Sequence, residues 1–245
     1  MTASALTGDD RIPIYQRLAD TLRRSVIDGG LKPGDRAPSE NVLAEEFGLA
    51  PGTVRKALDV LVTEGVFERF QGKGTFVRQP SFDTSLMRFF RFRGPDGKFT
   101  VPESRILRRE IEPMPSHVAL ALELPPSTPG ISMSRLRLHE GVPVVAEEIW
   151  LEHEPFKAFA DLPAEDIGAL IYPVYDTLCQ KRVARAEEAL TVEAAAPEIA
   201  RLLRVSPGEP IVVIDRLAKG YDNKPIEWRR SRGRADQFHY HTEIR

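Results

Sequence analysis

A run of three amphipathic segments, each closed by glycine and followed by a glycine-rich hairpin, constrains the fold of this chain most strongly. In the first segment apolar residues recur every three to four positions, at Tyr15, Leu18, Leu22 and Val26. This spacing places them on one face of a helix. Gly29-Gly30 follows, and glycine tolerates the left-handed backbone that ends helices. The segment therefore predicts a helix that begins near Ile14 and ends before Gly29.

Two further helices are predicted between positions 39 and 65. Ser39 is a suitable N-cap for the first of them, because its hydroxyl can accept from an unpaired backbone N–H, and Gly48 ends that helix. The second runs from about Gly52 to Glu64. Its apolar stripe is Val54, Ala57, Leu58 and Leu61. The separation between the two helices is the short turn of a helix–turn–helix.

A two-stranded hairpin is predicted next. Residues 66–70 and 75–77 are the expected strands, and Gln71-Gly72-Lys73-Gly74 between them is glycine-rich, as a tight hairpin requires. Three helices and a hairpin in this order predict a winged helix–turn–helix, whose third helix enters the DNA major groove. A solvated charged face on a small helical domain is the alternative interpretation. The residues expected to contact DNA are Arg36, Ser39, Asn41, Thr53, Arg55, Lys56, Gln71, Gly72 and Lys73.

The rest of the chain predicts a separate α+β domain. Strand-like patterns cover 105–111, 131–138, 142–151, 185–194, 211–219 and 225–232, and helix-like patterns cover 117–122, 172–180 and 197–203. Hairpin-length gaps between strands favour an antiparallel sheet. We expect a DNA-binding domain over 11–78, a linker over 79–86 and a second domain over 87–245. Within the latter, 87–93 alternates cations and aromatics, a pattern that could stack on single-stranded nucleic acid. We prefer the interpretation of a strand with a buried aromatic face.

Composition excludes several classes of protein. No run of about 18 apolar residues predicts a membrane span, and the N-terminus has no secretory pattern. The single cysteine, Cys179, cannot close an internal disulfide, which fits the cytoplasm. No metal site, cofactor fingerprint or catalytic triad is found. The net charge of −2 requires the basic groups of a DNA-binding protein to lie together on one face.

Residues 13–77 resemble the DNA-binding domain of the GntR family of bacterial regulators. The matching residues are Pro13-Ile14-Tyr15-Gln16, Gly34-Asp35-Arg36-Ala37-Pro38-Ser39-Glu40, Leu43-Ala44-Glu45-Glu46-Phe47-Gly48, Thr53-Val54-Arg55-Lys56-Ala57-Leu58, Leu61, Glu64-Gly65 and Gln71-Gly72-Lys73-Gly74-Thr75-Phe76-Val77. The resemblance implies dimers on palindromic operators, with Arg36, Thr53, Arg55 and Gly72 near DNA. Asn41 and Ala50-Pro51 depart from the family's basic residues, so we expect a different base preference.

Residues 85–245 resemble the UTRA effector domain of the HutC subfamily. The resemblance is carried by Arg135-Leu136-Arg137, Gly141-Val142-Pro143-Val144, Glu148, Arg185-Ala186-Glu187-Glu188, Leu203-Arg204-Val205-Ser206-Pro207-Gly208-Glu209-Pro210, Pro225-Ile226-Glu227 and Arg234-Ala235-Asp236. It implies the chorismate-lyase-like fold, although function does not follow from fold. It also implies a small-molecule effector and, most often in this subfamily, repression of transcription.

The expected effector site is built on an arginine pair. Arg135 and Arg137 alternate along one strand and therefore share a face, which suits an organic anion. The resemblance adds Glu148, Tyr175 and Glu227 to the site, although ion pairs on a strand surface are the alternative. Relatives that sense sugar phosphates carry serine where this chain has Pro173, so we expect a carboxylate.

Two other functions stay open from the sequence. One is an enzyme that uses the chorismate-lyase-like domain. The other is a scaffold or metabolite buffer whose N-terminal domain has lost DNA binding, which the substitutions at Asn41 and Pro51 would permit.

Overall fold

The computed structural model describes Leu6, Asp9 and residues 11–79 and 101–238. The chain divides into two compact units, one built on the residues up to Pro80 and one on the residues after it. The expected linker lies outside the described residues except for Gln79, and the expected strand over 87–93 lies wholly outside them.

The N-terminal unit has the predicted order of elements. Helices α1 (Ile14–Ile27), α2 (Glu40–Phe47) and α3 (Pro51–Thr63) precede a hairpin of β1 (Phe67–Phe70) and β2 (Gly74–Val77). Its core contains the predicted apolar stripe of α3, the predicted stripe of α1 except for the half-buried Tyr15, and Leu43, Phe67 and Val77. Helix α3 begins one residue earlier than expected, because proline suits the first helical position, where no N–H is needed. These elements confirm the winged helix–turn–helix.

The C-terminal unit is a six-stranded sheet in which all neighbours are antiparallel. Its strands are β3 (Glu103–Pro113), β4 (Pro129–His139), β5 (Val142–Glu152), β6 (Val183–Ala194), β7 (Pro210–Gly220) and β8 (Pro225–Arg234), in the order β3-β4-β5-β8-β7-β6. The helices are α4 (Ser116–Ala121), α5 (Lys157–Asp161), α6 (Tyr172–Cys179) and α7 (Pro197–Leu203). All six predicted strands and the three predicted helices are present. Helix α5 and the 3-10 turns at Glu154–Phe156, Ala164–Asp166 and Ala235–Gln237 were not predicted.

Helices cover both faces of this sheet. We call the face that carries Arg135 and Arg137 the front face. There α5 and α6 pack on Ile131, Met133 and Ile149. Tyr175 of α6 meets the rings of Phe156 and Phe159 edge-to-face, at centroid distances of 5.0 and 5.1 Å. Such ring pairs add about 0.5–1.5 kcal/mol to the burial of their area, so they fix α6 over the front face.

The opposite face, the back face, is covered at two places. Helix α4 packs with Trp150 and Trp228, and helix α7 packs on Leu136 and Ala146. Between these two helices the back face carries polar side chains, including Glu148 and Arg230.

Among the described residues, no helix combines the length and apolarity that a bilayer crossing requires.

Candidate DNA-binding surface and effector site

A groove of about 300 Å³ lies between the start of α2 and the hairpin. Of the residues expected to contact DNA, Arg36, Ser39, Gln71 and Gly72 line it. The remaining lining residues are Ala37, Pro38, Glu40, Leu58, Arg69, Phe70, Gly74 and Thr75. Asn41 is exposed on α2, and Lys73 is exposed at the hairpin tip. The groove is therefore bordered by the elements that a winged helix–turn–helix presents to DNA.

Local backbone geometry sets the position of Arg36 and the start of α2. The Ser39 hydroxyl accepts from the Val42 N–H at 3.4 Å, so it acts as the predicted N-cap. Gly74 has φ +116°, and a Cβ there would lie 3.0 Å from Nε of Arg36. Only glycine combines this backbone conformation with so close an arginine. Gly74 therefore allows the guanidinium of Arg36 to lie against the wing.

Helix α3 presents its basic residues in two ways. The Arg55 side chain is 62% exposed, and its guanidinium pairs with Glu40, the first residue of α2, with Nη2 2.9 Å from Oε2. The Lys56 ammonium lies 3.9 Å from the centre of the Tyr15 ring, a cation–π contact with α1. Thr53 is half-buried in the first turn of α3. Of the three expected contacts on this helix, Arg55 and Lys56 are exposed, and Arg55 is the one that pairs with a residue of α2.

The second site is a buried group of arginines on the front face. Arg135 is fully buried and Arg137 is 4% exposed, as expected of alternating residues that point the same way. Glu147 of β5 serves both, because its Oε2 accepts from Nε of Arg135 at 2.6 Å and from Nε of Arg137 at 3.2 Å. Glu147 Oε1 also accepts from Nη1 of Arg229 at 3.3 Å. One carboxylate therefore contacts three guanidinium groups.

The expected grouping of Glu148 with the arginine pair is wrong. Strands β4 and β5 pair as Leu138 with Pro143, but the next pair is Arg137 with Val145, so β5 carries one extra residue. A bulge of this kind reverses which side chains face each way beyond it. Glu147 consequently lies on the front face. Glu148 lies on the back face, where it accepts from Nε1 of Trp150 at 3.0 Å.

Tyr175 and Glu227, both expected at the site, meet at its other end. Glu227 Oε2 accepts from the Tyr175 hydroxyl at 2.8 Å, and Oε1 accepts from the Tyr172 hydroxyl at 3.1 Å. Arg229 donates to the same carboxylate through Nε at 2.9 Å and Nη2 at 2.8 Å. Two tyrosines and one arginine thus fix Glu227, which is completely buried.

A further ion pair joins the same network. Arg216 of β7 donates through Nε to Glu188 of β6 at 2.8 Å, and its Nη1 lies 3.4 Å from the Tyr172 hydroxyl. We call the connected set the arginine cluster. It consists of Arg135, Arg137, Arg216, Arg229, Glu147, Glu188, Glu227, Tyr172 and Tyr175.

Burial and charge act in opposite directions on the pKa values of the cluster. Burial alone would raise the pKa of Glu147, but the guanidiniums of Arg135, Arg137 and Arg229 lower it well below its usual range. Burial lowers the pKa of Arg137 to about 10, because pairing with Glu147 does not fully replace the lost water. Burial and the charge of Glu227 raise the pKa of Tyr175, so its hydroxyl keeps its proton.

The segment before α6 closes over the arginine pair with a backbone carbonyl. The Ala169 carbonyl accepts from Nη1 of Arg137 at 2.7 Å and lies 3.5 Å from Nη1 of Arg135. Pro173, the residue behind the expected carboxylate preference, is exposed in the first turn of α6. The hydroxyls that reach the cluster are those of Tyr172 and Tyr175, so position 173 does not provide the basis for that preference.

Sequence reasoning missed Glu147, Arg229, Arg216, Glu188 and Tyr172. The signal for Arg229 was present, because Glu227 and Arg229 alternate along a predicted strand just as the arginine pair does. Tyr172 falls three residues before Tyr175, on the same side of a predicted helix.

Among the described residues, no group of three or more His, Cys, Asp or Glu side chains is placed to hold a metal ion.

A winged helix–turn–helix joined to a domain with a buried cationic site defines a DNA-binding regulator with a ligand-binding domain. Residues 14–77 match the gntR family of bacterial regulatory proteins, and residues 100–239 match the UTRA domain. The UTRA match covers more than half of the chain. The chain therefore belongs to the UTRA-domain regulators of the GntR family, and it is a transcription regulator rather than an enzyme.

Curated relatives and solved structures agree with this assignment. The chain is 27% identical to the mannosyl-D-glycerate transport/metabolism system repressor MngR of Escherichia coli, over 93% of this chain and 94% of MngR. It is 30% identical to the transcriptional regulator SmoD of Agrobacterium fabrum, over 88% of this chain and 89% of SmoD. The crystal structure of PhnF from Mycobacterium smegmatis superposes with a TM-score of 0.55 at 23% identity, covering 93% of this chain and 98% of PhnF. That likeness supports the fold.

Proposed function

We propose that this protein is a cytoplasmic repressor that binds a palindromic operator as a homodimer and is released when a small carboxylate occupies the arginine cluster. The observation that carries the effector proposal is the charge of the cluster. As far as the described residues define it, four arginines stand against three glutamates, and all seven side chains are at most 11% exposed.

An excess positive charge in a buried site is costly unless it is paired. A monoanion would neutralise the single excess charge of the cluster. A carboxylate is a monoanion at neutral pH, whereas a phosphate monoester carries about −1.5 to −2. The balance therefore favours a carboxylate. MngR is named for a system that handles mannosyl-D-glycerate, whose glycerate part carries a carboxylate.

The donors that such an anion needs are already in place. Nη2 of Arg135 is buried and, within the part of the chain that the structure describes, makes no hydrogen bond of acceptable geometry, although it lies 2.6 Å from Glu147 Oε2. Among the described residues, Nη1 of Arg137 donates only to the neutral carbonyl of Ala169. A carboxylate oxygen is a stronger acceptor than a carbonyl for a charged donor. We infer that the effector takes the place of the Ala169 carbonyl.

A thermal-shift screen of carboxylates, amino acids and sugar phosphates tests the effector class. A carboxylate that stabilises the wild-type chain should fail to stabilise Arg137→Gln, which removes a donor fork from the cluster. Arg230→Gln is the matched control, because Arg230 pairs with Asp215 on the back face at 2.6 Å. Stabilisation by sugar phosphates or neutral compounds alone would refute the carboxylate. Equal stabilisation of Arg137→Gln and wild type would refute the site.

The operator proposal depends on Arg55. Arg55→Ala should weaken binding to an operator duplex by about 1–3 kcal/mol, the range of a bidentate base contact. Arg23→Ala is the control, because Arg23 pairs with Asp20 and Glu64 at the far end of the domain. Unchanged affinity of folded Arg55→Ala at matched salt would refute the contact. A wild-type chain that shifts no upstream DNA would favour the metabolite-buffer alternative.

The dimer proposal has a candidate surface in strand β6. Among the described strands this one is an edge of the sheet, and its apolar side chains Leu190 and Val192 are 41% and 64% exposed. An open edge strand with exposed apolar residues is a template for pairing with another chain. Sedimentation equilibrium should show a dimer that the double variant Leu190→Lys, Val192→Lys dissociates. Leu120→Lys on α4, where Leu120 is 80% exposed, is the control. A monomeric wild type would refute the dimer, and a dimeric double variant would refute this surface.

A further inference from the structure

We propose that Glu40 is a positioning residue that sets the specificity of DNA recognition, because it fixes the guanidinium of Arg55 so that the remaining N–H groups read a guanine. This inference rests on the proposed contact between Arg55 and operator DNA.

The geometry of the pair leaves one edge of the guanidinium unused. Nε of Arg55 donates to Glu40 Oε2 at 3.1 Å, and Nη2 donates to the same oxygen at 2.9 Å. Nε also lies 3.4 Å from Oε1. A guanidinium has five N–H donors in a rigid plane. The Glu40 carboxylate takes the side edge, so Nη1 and the second hydrogen of Nη2 form an intact fork at the tip. Such a fork matches O6 and N7 of guanine in the major groove.

The exposures of the two side chains suit a residue that orients its more exposed neighbour. The Glu40 side chain is 31% exposed, whereas that of Arg55 is 62% exposed. Glu40 is also held firmly, because it is the first residue of a helix that Ser39 caps, and a carboxylate is favourable at a helix N-terminus. A long arginine side chain loses rotamer freedom when it binds. Holding it in place beforehand removes part of that cost.

A carboxylate in this groove also has an electrostatic consequence. The DNA backbone is negative, so Glu40 opposes binding to DNA of any sequence. The charge of Glu40 therefore weakens binding to DNA in general. Its benefit is confined to the contact that Arg55 makes with a base. If Glu40 only stabilised the fold, replacing it would not reduce discrimination between bases while affinity for random DNA stays equal or rises.

The test uses full-length protein, fluorescence anisotropy and a duplex selected from a random pool by the wild type. Single-base substitutions then scan the selected half-site. For the wild type, we expect replacement of the guanine read by Arg55 to weaken binding about 10- to 100-fold. For Glu40→Gln, we expect that penalty to fall below about threefold, while affinity for random DNA stays equal or rises. Glu64→Gln is the matched control, because Glu64 is also an acid paired with an arginine, Arg23, between two helices of the domain.

Two more variants separate the possible failures. Glu40→Asp keeps the charge but is too short for the same pairing, so it should lose base discrimination and keep the weak binding to random DNA. In an Arg55→Ala background, Glu40→Gln should change discrimination no further. If Glu40→Gln and Glu40→Asp both keep the full penalty while Arg55→Ala abolishes it, the role of Glu40 is refuted and the Arg55 contact stands. If Arg55→Ala keeps discrimination at every position, the proposed contact itself fails.

Discussion

Replacing Glu147 with glutamine isolates the charge that holds the arginine cluster together. Glutamine has nearly the same volume, so the substitution opens no cavity in the front face. It removes the negative charge from a side chain that is fully buried and lies within 3.3 Å of three guanidinium groups. In the variant, the described residues leave two carboxylates, Glu227 and Glu188, to balance the charges of four arginines.

The size of the effect follows from the burial of the pairs. Removing one partner of a buried ion pair destabilises a protein by about 3–5 kcal/mol, because the other charge is left uncompensated. A unit of this size shifts its melting midpoint by about 2–4 °C per kcal/mol. We therefore expect Glu147→Gln to lower the midpoint by about 6–20 °C in a calorimetric or circular-dichroism melt.

Glu148→Gln provides the control from the next position on the same strand. Its side chain is 37% exposed, and its ion pair with Arg232 spans 3.7 Å, so it should cost at most about 1 kcal/mol. Sulfate or a carboxylate should recover part of the loss in Glu147→Gln, because an anion replaces the missing charge. Equal melting of the two variants, with no recovery by anions, would show that the cluster does not depend on Glu147.

Three further predictions address pH, the wing and the tyrosine contact. Because the pKa of Glu147 is lowered by folding, its contribution is complete above the unfolded pKa near 4.3 and is lost as pH falls. The difference in unfolding free energy between wild type and Glu147→Gln should be constant from pH 6 to 8 and should begin to narrow below about pH 4.3, with part of it remaining at pH 3 because the folded pKa is well below the usual range; a difference at pH 3 as large as that at pH 7 would contradict a lowered pKa. Lys73→Ala should weaken binding to operator and random DNA alike and reduce the salt slope by up to about one, whereas a loss confined to the operator would make Lys73 a base contact. Tyr175→Phe keeps the ring but removes the donor 2.8 Å from Glu227, so it should cost about 1.5–3 kcal/mol in a denaturant titration; a loss below 0.5 kcal/mol would mean that the hydroxyl is dispensable.

Short-range sequence patterns were sufficient to predict most of the helices and all six strands of the described sheet. The three helices, the hairpin and all six strands follow from apolar periodicities of 3.6 and 2, from glycine stops and from one serine cap. These features act between residues a few positions apart, so they persist in any tertiary context that buries the apolar face. The placement of Arg135 and Arg137 on one face was predictable for the same reason.

Only the tertiary structure decided which residues complete each site. A single extra residue in β5 places Glu147, and not Glu148, beside the arginine pair, because the alternation of side chains reverses beyond a bulge. Arg229 reaches Glu147 because β8 pairs with β5, although 82 positions separate the two residues in the chain. The pairing of Arg55 with Glu40 likewise depends on how α2 packs against α3. Such contacts join residues far apart in sequence, and local periodicity contains no information about the register or packing that brings them together.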